Sequence, residues 1–248
     1  MSLSYSSKIS NNNLDSLSDT LESLRGQGNK YKNNQWKFKG ATNTTINFDD
    51  LLKLLLPITT LNAEHRKSLV DIAKILFINS CKGKSNVGLY KQVFDCIQKT
   101  IYYLQITKIK VIKKNKLQEY LKFILTNEIN DGVISKRVTP LSYNPFSNGL
   151  QISIWYQTLK QYKIDDFLFT NHFSDRIITS ELKTVIYEIS NGDLTYRDWK
   201  DGGNFNKLTL DYGRYYIEHC IDFFNSNIGY AISIKKTLSE ARGILLKS

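Results

Sequence analysis

Apolar residues recur at spacings of three and four over most of this chain and alternate with polar ones in one short stretch near its start. The alternating stretch is NNQWKFKGATNTTINF. Trp36 and Phe38 fall on one face of a strand there, and Ile46 and Phe48 on one face of its return. The pattern predicts a small hairpin over residues 31–48 that turns near Gly40 and is basic through Lys30, Lys32, Lys37 and Lys39. Residues 1–30, rich in Ser and Asn, read as a flexible segment, although Leu14, Leu17, Leu21 and Leu24 keep helical spacing and allow a short docked helix.

From Phe48 onward the period is helical. FDDLLKLLLP opens on two acids and stops at Pro57. NAEHRKSLVDIAKILFINSCKG places Leu69, Ile72, Ala73, Leu76 and Phe77 on one side and ends at Gly83. The next helix is expected from Ser85 or Asn86 to Gln105, with Leu89, Val93, Ile97, Ile101 and Leu104 as its stripe. A further one starts near Lys114 on Leu117, Leu121, Ile124 and Leu125. NDGVISKRVTPLSYNPFSNG, with two prolines and two glycines, reads as a linker over 128–148. Beyond it LQISIWYQTLKQY, SELKTVIYEIS, LDYGRYYIEHCIDFFNSN and YAISIKKTLSEARGILL each read as helix. The expected fold is mainly α: a helical bundle over 49–127, a small N-terminal β-hairpin and a second helical subdomain over 149–248.

Composition supports a folded core: 41% of the 248 residues are hydrophobic and 12% aromatic. Cys81, Cys96 and Cys220 are scattered, with no C-x-x-C pair, so disulfide-framework and zinc readings fail on spacing. The first residues lack an apolar core for a signal peptide, and the longest apolar runs are too short to span a bilayer. A soluble, cytoplasmic protein with no membrane partner is expected.

Charge changes the picture most. The net charge is +11, which favours a polyanionic partner. Ten lysines (82, 84, 91, 99, 108, 110, 113, 114, 116 and 122) lie between residues 82 and 122 against Asp95 and Glu119, so ten minus two, or +8, sits in that stretch. On the helix, Lys91, Asp95, Gln98 and Tyr102 lie opposite the apolar stripe. Such a face, with basic loops at both ends, suits a phosphate backbone more than it suits an ordinary solvated surface, which is the alternative.

The stretch GKSNVGLYKQVFDCIQKTIYYLQITKIKVIKKNKLQEYLKFIL, with the helix before it, resembles the core-binding domain of phage-integrase-type tyrosine recombinases. Lys84 and Ser85 match that family's Ser/Thr-containing turn, Tyr90 its early-helix tyrosine, and KIKVIKKNKLQEYLKFI the link and last helix, over about 60 residues from Leu69 to Leu125. GDLTYRDWKDGGNFNKLTLDYGRYYIEHCIDFF is similar to a segment in long N-terminal regions of some bacterial integrase-like proteins. The resemblance implies a helical bundle that clamps double-stranded DNA, with Lys82, Lys84, Ser85, Tyr90, Lys91, Lys99, Lys113, Lys114 and Lys116 toward phosphates or groove edges, and other recombinase protomers as further partners.

Catalysis is not expected of this chain. The family's catalytic domain carries an H-x-x-R box and a late tyrosine, whereas His172 and Arg176 here are spaced H-x-x-x-R and Tyr230 is followed by a plain helix. The resemblance then makes this chain the DNA-holding front part, with the catalytic part missing or encoded elsewhere. His65, His172 and His219 are isolated, GKS at 83–85 lacks the glycine and strand of a phosphate loop, and no cofactor is expected. The alternative is a non-enzymatic accessory or adaptor protein of a phage or mobile element, which would use an aromatic helix face at Tyr212, Tyr216 and Phe223 for protein contacts.

Overall fold

The computed structural model describes residues 11–24, 28–41, 43–130, 132–142, 144–146, 149–164, 166–200 and 210–245. Two helices form the centre: α3 (Ala63–Cys81) and α4 (Gly88–Thr107), in contact along their lengths. The Asn62 side chain accepts a hydrogen bond from the His65 amide at 2.8 Å and so caps α3, whose run ends before Gly83 at φ +76°. From Ser68 to Cys81 only Asp71 and Asn79 escape full burial on α3. A helix apolar on all sides must be covered on all sides.

The cover comes from both ends of the sequence. Strands β1 (Gln35–Phe38) and β2 (Thr44–Asn47) form the expected antiparallel hairpin, in register Trp36↔Ile46 and Phe38↔Thr44. Alternation buries Trp36, Phe38 and Ile46. Trp36 meets Phe48 edge-on at 4.6 Å, and Phe38 meets Tyr90 at 5.0 Å. Each fully buried ring of this kind stabilises by about 2 kcal/mol relative to exposure. Helices α1 (Asn11–Ser23) and α2 (Asp49–Leu55) close the same side, with Leu17, Leu21 and Leu24 seated in the core. The segment 1–30 is therefore docked over 11–24, as its leucine spacing allowed.

The other side is built from α5 (Lys114–Thr126), α6 (Ile152–Gln161), α7 (Asp175–Ile189) and α8 (Tyr196–Lys200). α6 packs on α3, α5 packs on α4, and α7 packs on α5. A two-residue parallel pairing, β3 (Val111–Ile112) with β6 (Leu168–Phe169), ties the α4–α5 link to the chain after α6.

Two expectations are corrected. Residues 128–148 do not separate two domains, because one core runs from Leu17 to Trp199 and residues 1–200 form one unit. The Trp155 indole on α6 donates to the Ser80 hydroxyl on α3 at 2.7 Å, across the anticipated boundary. The stretch itself contains a hairpin, β4 (Asn127–Asn130) with β5 (Val133–Lys136), turned on Gly132 at φ +77°. Residues 201–248 are a second unit, and there the two anticipated helices are one, α9 (Leu210–Leu245), continuous through Gly229.

Candidate nucleic-acid interface

Helix α4 divides the lysine-rich stretch. Its twenty residues rise about 30 Å at 1.5 Å each, so the lysines before it and after it stand at opposite ends. At the first end Lys82 caps α3 and is exposed, as are Ser85 and Lys91, while Lys84 is half-buried. Burial holds the Lys84 ammonium below the ordinary lysine value, against an opposing pull from Cys81.

At the second end α5 turns back along α4. Its cap residue Lys113 and the first-turn lysines Lys114 and Lys116 are all exposed, and the first turn contains no acid. The link adds exposed Lys108 and Lys110. Lys116 pairs with Glu119 at 2.8 Å. Lys108 ends α4 in the left-handed region at φ 56°, where its amide and that of Ile109 reach back to Leu104. That position ordinarily goes to glycine.

Two anticipated contacts are corrected. Tyr90 is fully buried, with its hydroxyl donating to the Lys84 carbonyl at 3.1 Å, so its ring belongs to the aromatic core. Lys99 is 1% exposed, and its ammonium donates to the carbonyls of Ile124 and Asn127 at 3.2 and 3.3 Å. Those carbonyls end α5, where a cation offsets the negative end of the helix dipole. Neither side chain reaches a ligand outside the fold. Lys74, on α3, is likewise internal: it donates to the Tyr31 carbonyl and the Asn34 amide oxygen, both at 2.9 Å, beneath the rings of Tyr31, Trp36 and Phe48.

The face anticipated on α4 is not an open surface either. Gln98 is buried, Asp95 and Tyr102 are half-buried, and Lys91, Asp95 and Gln98 form one wall of a cleft of about 410 Å³. Asn47, Asp50 and Lys53 form the facing wall. Asp50 accepts from Asn47 at 3.1 Å and from Lys53 at 3.0 Å. Burial pushes the Asp95 carboxyl up to about 6, against the opposing pull of Lys91, Lys99 and Arg137. Sequence reading missed this cleft, because Asp95 stands out only once β2, α2 and the β4–β5 turn close around it.

Among the described residues no helix is long and apolar enough to cross a membrane. Of the aromatic face anticipated on α9, Phe223 is 72% exposed, and the side chains of Tyr212 and Tyr216 lie outside those described. Compared with protein-family models, with curated proteins and with solved structures, the chain has no match in any of the three.

Proposed function

We propose that this protein binds duplex DNA as a non-catalytic module, through the lysines at the amino-terminal end of α5. One observation carries the reading: exposed Lys113, Lys114 and Lys116 occupy the cap and first turn of a thirteen-residue helix, where acids are normally favoured. The helix dipole places about half a positive charge at the same end. Ammonium groups added there raise the free energy of the protein alone, and a phosphate backbone relieves both. Lys108 and Lys110 extend the same basic end. Lysines meet phosphates as mobile point charges, so the contact positions the duplex without reading its sequence. The resemblance of residues 69–125 to the integrase core-binding region supports the same reading, on which the chain is the DNA-holding portion of such a recombinase.

Fluorescence anisotropy with a labelled duplex of about 20 base pairs, titrated against salt, tests the proposal. The expected affinity falls steeply with salt, and replacing Lys113, Lys114 and Lys116 by Glu flattens the log–log slope by about two to three. No binding at low salt, or a slope unchanged by the triple replacement, overturns it.

One observation favours a second reading, a protein–protein adaptor: Ile217, Ile221, Phe224 and Ile228 of α9 are exposed together. In that case the lysine replacements leave function intact, and α9 replacements abolish it.

A further inference from the structure

Along α9 the apolar residues follow a seven-residue repeat. Ile217, Phe224, Ala231 and Leu238 recur every seven residues, and the same step reaches Leu210 and Leu245 at the helix ends. Ile221, Ile228 and Lys235 form the companion row four residues on. Together they make the 3,4-spaced seam of a coiled coil from Ile217 to Leu238, about three heptads, and the companion row continues into Arg214 and Arg242 on either side. The described apolar members, Ile217, Ile221, Phe224, Ile228 and Leu238, are 40–65% exposed. A lone amphipathic helix gains most of its stability from packing its apolar face, so this seam calls for a partner.

Charge decides what the partner is. Between residues 217 and 238 the acids are Glu218 and Asp222 and the basic residues are Lys235 and Lys236, so the first half of the seam is acidic and the second half basic. Such a helix complements itself head to tail. A parallel pair would set Lys235 against its own copy in the seam and stack like charges along both halves. An antiparallel pair sets Ile221, Ile228 and Lys235 opposite the Ile217 row of the other copy, and brings Lys235 and Lys236 within about a turn of its Glu218 and Asp222. Thirty-six residues make a helix of about 54 Å. Paired along the 22 residues from Ile217 to Leu238, about 33 Å of that length, two copies bury on the order of 1,000 Å², enough for a specific interface.

We infer that α9 is a self-association helix, pairing antiparallel with the α9 of a second copy of this chain along the seam through Ile221, Phe224 and Ile228. The inference uses none of the α5 lysines and stands apart from the DNA-binding reading.

Sedimentation equilibrium of the full chain is expected to give twice the monomer mass of 28.7 kDa. Ile228→Asp, within the seam, returns the monomer mass, whereas Phe223→Asp, off the seam and 72% exposed, leaves the dimer intact. Replacing Lys235 and Lys236 by Glu weakens the dimer roughly tenfold, and adding Glu218→Lys and Asp222→Lys restores it. Cys220 is exposed while Cys81 and Cys96 are buried, so a spin label goes to Cys220 alone. Antiparallel pairing places the two labelled backbones roughly 20–30 Å apart along the axis. A monomeric wild type, a dimer that survives Ile228→Asp, equal loss with Phe223→Asp, failure of the reversed charges to rescue, or labels in contact each overturn the inference.

Discussion

The Lys99 ammonium lies 3.2 Å from the Ile124 carbonyl oxygen, inside the protein, and so joins the middle of α4 to the end of α5. A lysine in the densest basic stretch of the chain is thus a structural cation. Lys99→Met keeps the stem and removes the donor, leaving the Ile124 and Asn127 carbonyls short of a partner in a buried setting. The expected loss of stability is about 2 kcal/mol. Chemical denaturation reads that loss, and the salt slope of DNA binding stays that of the wild type. A changed slope with unchanged stability would show that Lys99 faces the ligand.

Lys108 offers the opposite balance. A non-glycine residue at φ 56° carries strain that glycine does not, and here the left-handed turn is required to end α4. Lys108→Gly is expected to stabilise the protein by about 1 kcal/mol. Under the proposed function the same change lowers duplex affinity, since one phosphate contact goes. A thermal melt and an anisotropy titration on the same sample check both signs.

Trp155 and Ser80 test whether residues 1–200 are one cooperative unit. The indole is fully buried and its N–H donates to Ser80 at 2.7 Å. Trp155→Phe removes that bond and part of the ring, and is expected to destabilise by about 2–3 kcal/mol. Unfolding of residues 1–200 followed by core tryptophan fluorescence and by circular dichroism should shift together. Two separated transitions within that unit, one sensitive to the change and one not, would restore the boundary at 128–148.

Much of this architecture was legible in the sequence where a local period sets the outcome. The alternation of Trp36, Phe38 and Ile46 marked the hairpin, and the three-and-four spacing of Leu69, Ile72, Ala73, Leu76 and Phe77 marked α3; all eight are buried. What was not legible depends on contacts far along the chain. Lys99 sits two residues from Ile97 and two from Ile101, and it is covered by the return of α5 and the start of β4. The long polar stretch after Leu125 read as a linker because its prolines outweighed the turn around Gly132, which makes a hairpin instead. Gly229 and the Asn225–Asn227 run suggested a break in α9, yet the surrounding helix formers carry through it. The lysine cluster was visible as a sum of charge. Its division by α4 into two basic ends followed from the expected helix, but the burial of Lys99 did not, because net charge carries no direction.

The Asp95 cleft yields a pH dependence of definite sign. Its carboxyl is pushed up to about 6 by burial, well above the ordinary aspartate value, and Lys91, Lys99 and Arg137 only partly offset that. Asp50 and Lys53 stand on the facing wall, already joined to each other at 3.0 Å. The folded state therefore holds the Asp95 proton more tightly than the unfolded chain does. Between about pH 4 and pH 6 the native protein binds the extra proton, so the contribution is fully present below pH 4 and is lost as pH rises through 6. Asp95→Asn keeps the shape and removes the ionisation. The variant is expected to gain about 2 kcal/mol over the wild type at pH 7, and the two should converge near pH 4. Denaturant midpoints measured for both proteins from pH 4 to pH 8 check this. A difference independent of pH would mean that Asp95 is solvated in the cleft and titrates like an unfolded aspartate.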